Sequence, residues 1–577
     1  EGMLAALKDY VAGGGAVICY ALGWVYNHYG DGKKGKSLEK DFIGNRFLKD
    51  FGVLCNGEFT GNKILLSQSV GNKHHPLLLV EKVDKLITAQ ARLPEEELNL
   101  LLTVMLAYKE KLPHNEKYLR IFERHYDSFG RRRDISAGYP VGKTEQDFLL
   151  TIGMLNLLYS CAPYERISEL RDAAFFPGEV GPGAMTTETD FPCDLFRNRW
   201  QSTGLYAPAG RPVSFTVAPG EGNMVKVRIG AHADVLFPLD DKYRKQLKRW
   251  PDISLTRALK GGETLIVSPH GGLIYFERMG NPDRHTLNIR INGAVAAPYF
   301  KLEETDVREW RERIRYYQAP WGELAGRRII LTFSAATLKK IDDPEKLLRY
   351  WDKAVGFYHE LQQEPPKDYE ERFVHDVQPK IGWLHAGYPI VINSEVGDYT
   401  AGLAVNPADK TSLYDTGSWG HFHELGHNCQ RGEWTFDGAV EVTVNLFTLY
   451  AMEKMHGIIP AEHPWHREGW GKLKKYVVKG APFGEWKKDP QLALTTYIIL
   501  QKEFGWEAFK KVFAAYRLLP AGERPKTDQE KMDLWLVMFS TVVKKDLGPY
   551  FRKVGIPVSP GALAKIMAYP VWMPAGL

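Results

Sequence analysis

Five consecutive residues, His423-Glu424-Leu425-Gly426-His427, carry the side chains of a hydrolytic metal site. On a helix, residues four apart sit about 40° apart around the axis and roughly 6 Å along it. Two imidazoles therefore share one face and reach a single ion. Glu424 borders that face, too close in sequence to ligate comfortably and well placed to hold a water beside the metal. The implied chemistry is a zinc ion bound by His423 and His427, with Glu424 as general base to a zinc-activated water attacking a carbonyl. The same pattern also arises by chance, as an exposed helix with two solvated histidines. Against that reading, Gly426 permits close packing beneath a metal, and Gly417-Ser418-Trp419-Gly420 forms a turn that can start a helix.

Catalytic zinc needs a third protein ligand and one open position. Downstream lie Glu433, Asp437 and Glu441. Gly432 and Gly438 punctuate the stretch after His427, so the motif helix is expected to stop near residue 430 or 431. An apolar helical pattern then runs over 439–455, with Glu441 in its first turn. A carboxylate in so apolar a run is costly unless paired or metal-bound, and a helix N-terminus favours its charge. Glu441 is the expected third ligand, and Asn445, one turn further on, the residue expected to orient it. Gln430 and Glu433 stand where the HExxHxxGxxH pattern has its glycine and its third histidine, so that pattern is absent. The set is that of a Glu-type zincin. Tyr399, Tyr414 and His421 are open candidates for an oxyanion donor. Trp419, Arg431, Trp434 and Asp437 flank the motif and are the candidate substrate contacts.

The surrounding chain supplies elements of several kinds. A helix over 3–11, three glycines and an apolar strand over 16–20 make an α/β unit within 1–75. The glycines precede a strand, and no GK[ST] follows at phosphate-loop spacing. Residues 76–185 carry buried helical spacing at 100–109 and 147–158. Residues 186–305 switch to period two at 213–217, 225–229, 265–267, 272–276 and 287–292, which predicts a β-sandwich. His232 and Asp234 on that stretch read as structural. Residues 306–577 hold a strand at 328–333, a helix at 344–361, a strand at 390–392 expected to line the cleft, the zinc helices, and helices at 492–511 and 533–545.

The stretches 419–430 (WGHFHELGHNCQ) and 441–445 (EVTVN) resemble the enhancin-like and mucinase zinc peptidases, peptidase family M60. The stretches 200–210 (WQSTGLYAPAG), 229–234 (IGAHAD), 271–275 (GGLIY), 319–324 (APWGEL) and 382–389 (GWLHAGYP) extend the likeness. Their order also resembles that of the TRP channel-associated factors. The resemblance implies a multidomain α+β chain: an amidotransferase-like α/β remnant at 1–75, a helical domain at 76–185, a β-sandwich at 186–305 and a gluzincin-type zincin catalytic domain at 306–577. It implies a zinc endopeptidase acting on O-glycosylated mucin-like proteins, secreted or at the cell surface. The alternative it carries is a non-catalytic partner- or glycan-binding scaffold like the channel-associated factors.

Composition narrows the classes further. A chain of 577 residues exceeds one core. A net charge of +5 is small for this length, and no basic stripe with interleaved aromatics supports nucleic-acid binding. No apolar run reaches the length of a membrane span. The five cysteines are scattered without CxxC and do not read as a disulfide framework. No signal peptide is seen, and the chain opens mid-pattern, as if cut from a longer protein. Oligomeric state is not encoded in any feature of the sequence.

Overall fold

The computed structural model describes residues 76–577, apart from 110–115, 130–133, 160–161, 241 and 281–285. The α/β unit expected within 1–75, and with it the amidotransferase-like reading, lies outside the described residues. So do Cys19, Cys55 and Cys161. Of the remaining cysteines, Cys193 and Cys429 are free and buried. The chain divides into two compact units. One runs to Pro298 and includes Tyr317–Gly322; the other comprises Tyr299–Tyr316 and Glu323–Leu577. The second begins before the boundary expected at 306.

In the first unit, helices α1 (Pro76–Thr88), α2 (Glu95–Tyr108) and α3 (Glu116–Phe129) pack around α4 (Gln146–Tyr159). Helix α4 is apolar all round, and every residue from Phe148 to Tyr159 is buried. A helix hydrophobic on all faces has its place at the centre of such a group. Eight strands follow: β1 (Thr186–Asp194), β2 (Gln201–Ala207), β3 (Pro212–Val217), β4 (Val225–Ile229), β5 (Leu255–Ala258), β6 (Gly262–Val267), β7 (Gly272–Arg278) and β8 (Thr286–Ala296). They form one hydrogen-bonded sheet in the order β5-β4-β7-β2-β8-β3-β6, with β1 also on β8. Two separate sheets were expected; the long strand β8 instead pairs with β1, β2 and β3 and joins all the strands. Alternate residues such as Val213, Phe215, Val225, Val227, Ile229, Ile274, Phe276, Leu287, Ile289 and Ile291 close one core. Strand β1 escaped the period-two reading because its alternation is between polar residues, mostly exposed or half-buried.

The second unit carries a six-stranded sheet of β9 (Tyr299–Lys301), β10 (Trp321–Ala325), β11 (Ile329–Ser334), β12 (Glu371–Asp376), β13 (Leu384–His385) and β14 (Ile390–Asn393). The order is β9-β10-β11-β12-β14-β13. Strands β11, β12 and β14 run parallel, and β13 is antiparallel to β14 at the sheet's end. The strand expected to line the cleft, here β14, therefore lies one position inside, and the edge belongs to β13. Arg372 on β12 is fully buried and pairs with Glu323 on β10, which also accepts from Thr332 Oγ1 on β11 at 2.9 Å. A buried pair of this kind is costly unless its atoms are satisfied, and here it ties three neighbouring strands together.

Helix α5 (Pro344–Gln362) underlies the motif helix α6 (Trp419–His427), and α7 (Val440–His456) packs against both. Asp343 caps α5, accepting from Lys346 N–H, and Pro344 opens it. Tyr358 on α5 donates its hydroxyl to the Phe422 carbonyl of α6. Helices α8 (Pro464–Val478), α9 (Pro490–Arg517) and α10 (Asp528–Val543) complete the unit. The long α9 is interrupted at Gly505, whose φ of 71° is left-handed. Thr527 and Glu530 form a capping box at the start of α10. None of the helices among the described residues is long and apolar enough to cross a membrane.

Candidate metal centre

Helix α6 ends at His427, slightly short of its expected end, and α7 begins at Val440. The two helices touch at Gly426. A Cβ built there would stand 2.8 Å from the Val444 carbonyl oxygen and 2.9 Å from Val444 Cγ2. Glycine at the fourth motif position thus sets how closely α7 approaches. That approach brings Glu441, in the first turn of α7, over the histidine face of α6.

The structure brings His423, His427 and Glu441 together. His423 Nε2 lies 3.0 Å from Glu441 Oε2 and 3.0 Å from His427 Nε2. His427 Nε2 lies 3.6 Å from the same carboxylate oxygen. Three donors at about 2.0–2.1 Å from a tetrahedral zinc stand about 3.3 Å apart. The triangle matches that spacing, with all three atoms converging on one point. No other group of three histidine, cysteine or acidic side chains among the described residues converges in this way. Glu433 is held by Arg431 at 2.8 Å, and Asp437 by Lys487 at 2.7 Å, so neither alternative third ligand reaches the histidines.

Each imidazole is also fixed from behind. Asn445 donates its Nδ2 to the Glu441 carbonyl at 2.9 Å, which leaves Oδ1 facing His423 Nδ1 at 2.8 Å. Gln430 donates Nε2 to the Val440 carbonyl at 2.8 Å and to Thr443 Oγ1 at 2.7 Å, leaving Oε1 facing His427 Nδ1 at 2.7 Å. Both amides can therefore only accept from the rings. Each imidazole thus donates from Nδ1 to a fixed oxygen, which leaves Nε2 as the atom turned toward a metal. Asn445, the residue expected to orient Glu441, meets only its backbone carbonyl, and its side-chain oxygen faces His423 instead. Gln430, at the glycine position of the longer histidine pattern, has no role in the expected site. Its signal was available: an amide three residues beyond His427, on the turn that follows.

Burial pushes the Glu424 carboxyl up, and His423, His427 and His385 draw it back down. Hydrogen bonds from His423 and His427 hold the Glu441 carboxyl far below the usual range. Burial opposes, and Glu441 and Asn445 favour, protonation of His423, with a net upward shift. An anionic carboxylate between two rings is the charge pattern that a cation replaces.

His385 stands on the edge strand β13, which packs beside α6; Leu384 Cδ1 is 3.6 Å from the Cβ position of Gly420. The loop after it is clamped to the end of α6. Asn428 Nδ2 donates to the Gly387 carbonyl at 3.0 Å and to Glu371 Oε2 at 2.8 Å, while its Oδ1 accepts from Gly387 N–H at 3.1 Å. Neither His385 nor Asn428 was singled out by spacing.

The remaining candidates separate. His421 is buried, bonded to Thr400 Oγ1 and Ser418 Oγ at 2.7 Å each, and pushed down to about 3 by burial. It braces the start of α6 and is withdrawn as an oxyanion donor. Tyr399 is buried and donates to the Gly417 carbonyl at 2.8 Å, and Tyr414 stacks edge-on with Tyr350. Trp434 is 1% exposed, packed against Phe513 at 4.9 Å and Tyr516 at 5.3 Å, and so is a core residue with no face for a sugar. Arg431 is engaged by Glu364 and Glu433, which anchors the turn. Trp419 opens α6 and stacks on His463 at 5.1 Å and beside Trp465 at 4.9 Å.

Residues 293–555 match the family described as Peptidase M60, enhancin and enhancin-like, and residues 185–292 match the N-terminal domain of M60-like peptidases. The TRPM8 channel-associated factor 2 of Bos taurus is 37% identical over 65% of this chain and 40% of its own length. The TRPM8 channel-associated factor 3 of Mus musculus is 31% identical over 98% of this chain and 60% of its own length. The chain thus spans between two fifths and three fifths of these two relatives. Among solved structures, IMPa from Pseudomonas aeruginosa in complex with an O-glycopeptide has a TM-score of 0.55 at 16% identity, covering 83% of this chain and 63% of that one. That likeness is one of fold. With the two contiguous matches spanning 185–555, this chain belongs to the M60 peptidase family of enhancin and enhancin-like proteins.

Proposed function

We propose that this chain is a zinc-dependent endopeptidase that cleaves O-glycosylated, mucin-like proteins, secreted or at the cell surface. The observation that carries the reading is the convergence of His423 Nε2, His427 Nε2 and a Glu441 oxygen at metal-ligand spacing, with Glu424 on the adjoining face of α6. These three residues would hold the ion, and Glu424 is the general base. Bound zinc supplies Lewis acidity toward water and the scissile carbonyl. Glu424 takes the proton of the attacking water and passes it to the departing amine; its burial raises its basicity for that exchange. The charge of His385, on β13, draws the Glu424 carboxyl down. An extended substrate adds to β13, the end strand of the sheet, through main-chain hydrogen bonds.

The substrate class draws on two supports. IMPa, with the same fold, binds an O-glycopeptide. Trp419 and the half-exposed Trp465 form an aromatic surface at the start of the motif helix, where a sugar face can stack. The sequence division at 75, 185 and 305 is retained as the proposed domain plan. A non-catalytic scaffold is the second reading, favoured by the names of the channel-associated relatives.

One experiment separates them. Wild type and Glu424→Gln are incubated with a panel of O-glycoproteins, before and after enzymatic removal of the O-glycans. Fragments are identified by mass spectrometry, and zinc is measured by elemental analysis. The peptidase reading expects about one zinc per chain in both proteins and glycan-dependent cleavage by wild type alone. Zinc-loaded wild type that cleaves nothing establishes the scaffold.

A further inference from the structure

A second concave site lies in the helical half of the same unit, built by α8, α9 and the C-terminal segment. Its cavity of about 390 Å³ is lined by His466, Arg467 and Trp470 of α8, Lys502 and Glu503 of α9, and Trp572. That volume falls within the ~300–1,000 Å³ usual for small-ligand sites. We propose that this pocket binds the carboxylate-bearing residue of an acidic glycan.

The fold leaves several polar groups of this cavity unused. His466 is 8% exposed, and its Nδ1 is buried without a hydrogen-bond partner. Buried polar atoms are almost always satisfied, and this one, in a residue of the cavity wall, is an exception. Burial and the Lys502 charge hold this imidazole down at about 4, so it is neutral and offers one donor and one acceptor. Arg467 and Lys502 bring two cations to the rim. Among the described residues, neither side chain has an ion-pair or hydrogen-bond partner, and the same holds for Glu503. Other charges on these helices are matched, Lys472 with Asp489 at 2.8 Å and Lys510 with Glu360 at 2.6 Å among them.

The walls supply the other half of the chemistry. Trp572 is fixed against Phe504 at 5.0 Å and Tyr550 at 5.3 Å, and its backbone N–H donates to the Asp546 carbonyl at 3.0 Å. Trp470 lies one turn further along the same face of α8, its ring 6.3 Å from that of His466 and with Lys474 Nζ 5.3 Å from its centre. An indole pair takes the apolar face of a pyranose. A carboxylate on that ring meets the guanidinium and the ammonium, and ring hydroxyls meet His466 and Glu503. A neutral sugar leaves both cations unmatched, and a small anion leaves both indoles uncovered. The carboxyl sugars, sialic and uronic acids alike, satisfy all six groups. The site stands apart from the metal triad, and its ligand does not depend on the peptidase reading.

The test is calorimetric titration of the full chain with N-acetylneuraminic acid, glucuronic acid, N-acetylgalactosamine and acetate. At least one of the two acids is expected to bind saturably, and which one does identifies the source. The neutral sugar and acetate are expected to bind at least about tenfold more weakly. Arg467→Ala and Lys502→Ala, both at exposed positions, are each expected to weaken binding about tenfold while melting with wild type. Three results overturn the proposal: no saturable binding of either acid, equal binding of the neutral sugar or acetate, or undiminished binding by the Arg467→Ala/Lys502→Ala double variant.

Discussion

The metal centre and the pocket on α8 share one structural unit and differ in how their polar atoms are treated. At the centre, every nitrogen of His423 and His427 has a partner at 3.0 Å or less, and both rear partners are themselves anchored to α7. In the pocket, a buried imidazole nitrogen and three charged side chains have none among the described residues. The first arrangement fixes donor atoms before the ligand arrives, so binding loses little to ordering and geometry selects the ion. The second leaves long side chains free to close on a ligand, so shape and charge select a class of molecule. One is a built constellation, the other an adaptable recess.

Breaking the centre at its chemistry produces the largest effect. Glu424→Gln is expected to reduce glycopeptide cleavage at least about a thousandfold with metal content unchanged, because a general base is removed and no ligand is. Steady-state kinetics beside elemental analysis check this. Removing the rear support tests whether fixing the rings matters. Gln430→Ala and Asn445→Ala are each expected to weaken metal affinity about 10- to 100-fold, measured by competition with a chromogenic chelator. If both variants hold metal as wild type does, the contrast between a fixed and an adaptable site disappears. Lys502→Ala, by contrast, is expected to leave the metal affinity untouched.

Gly426→Ala tests the helix approach itself. The added Cβ meets the Val444 carbonyl at 2.8 Å, and the expected cost is about 1–3 kcal/mol of stability by denaturant titration, with weakened metal binding. The smallest effect is expected at Trp419. Its replacement by Ala removes one stacking face beside the motif, raising KM for an O-glycopeptide about fivefold while leaving metal content as in wild type.

The metal centre was legible because it is local. Two histidines at helical spacing and a carboxylate opening the next apolar helix lie within 423–441, and secondary structure alone brings them near one another. The amides behind them were half legible: Asn445 follows Glu441 by one turn, whereas Gln430 acts across a turn whose course the sequence does not fix. Trp434 shows the opposite failure. It flanks the motif in sequence, yet the chain past Gly432 turns it inward against Phe513 and Tyr516, residues of a helix that begins more than fifty positions later. The pocket on α8 was not legible at all, since its wall comes from three segments separated by tens of residues. Strand β1 shows the same limit for the fold: its pairing with β8 is set by register across the sheet, and its own residues carry no apolar alternation.

The central claim is that His423, His427 and Glu441 hold one ion that Glu424 uses. Its most direct measurement is the zinc content of purified wild type, Glu441→Ala and Glu433→Ala, each assayed in parallel on one O-glycosylated substrate. The account predicts about one zinc per chain and cleavage in wild type and Glu433→Ala, and loss of both in Glu441→Ala. Zinc and cleavage that survive in Glu441→Ala, or that vanish only in Glu433→Ala, would contradict it.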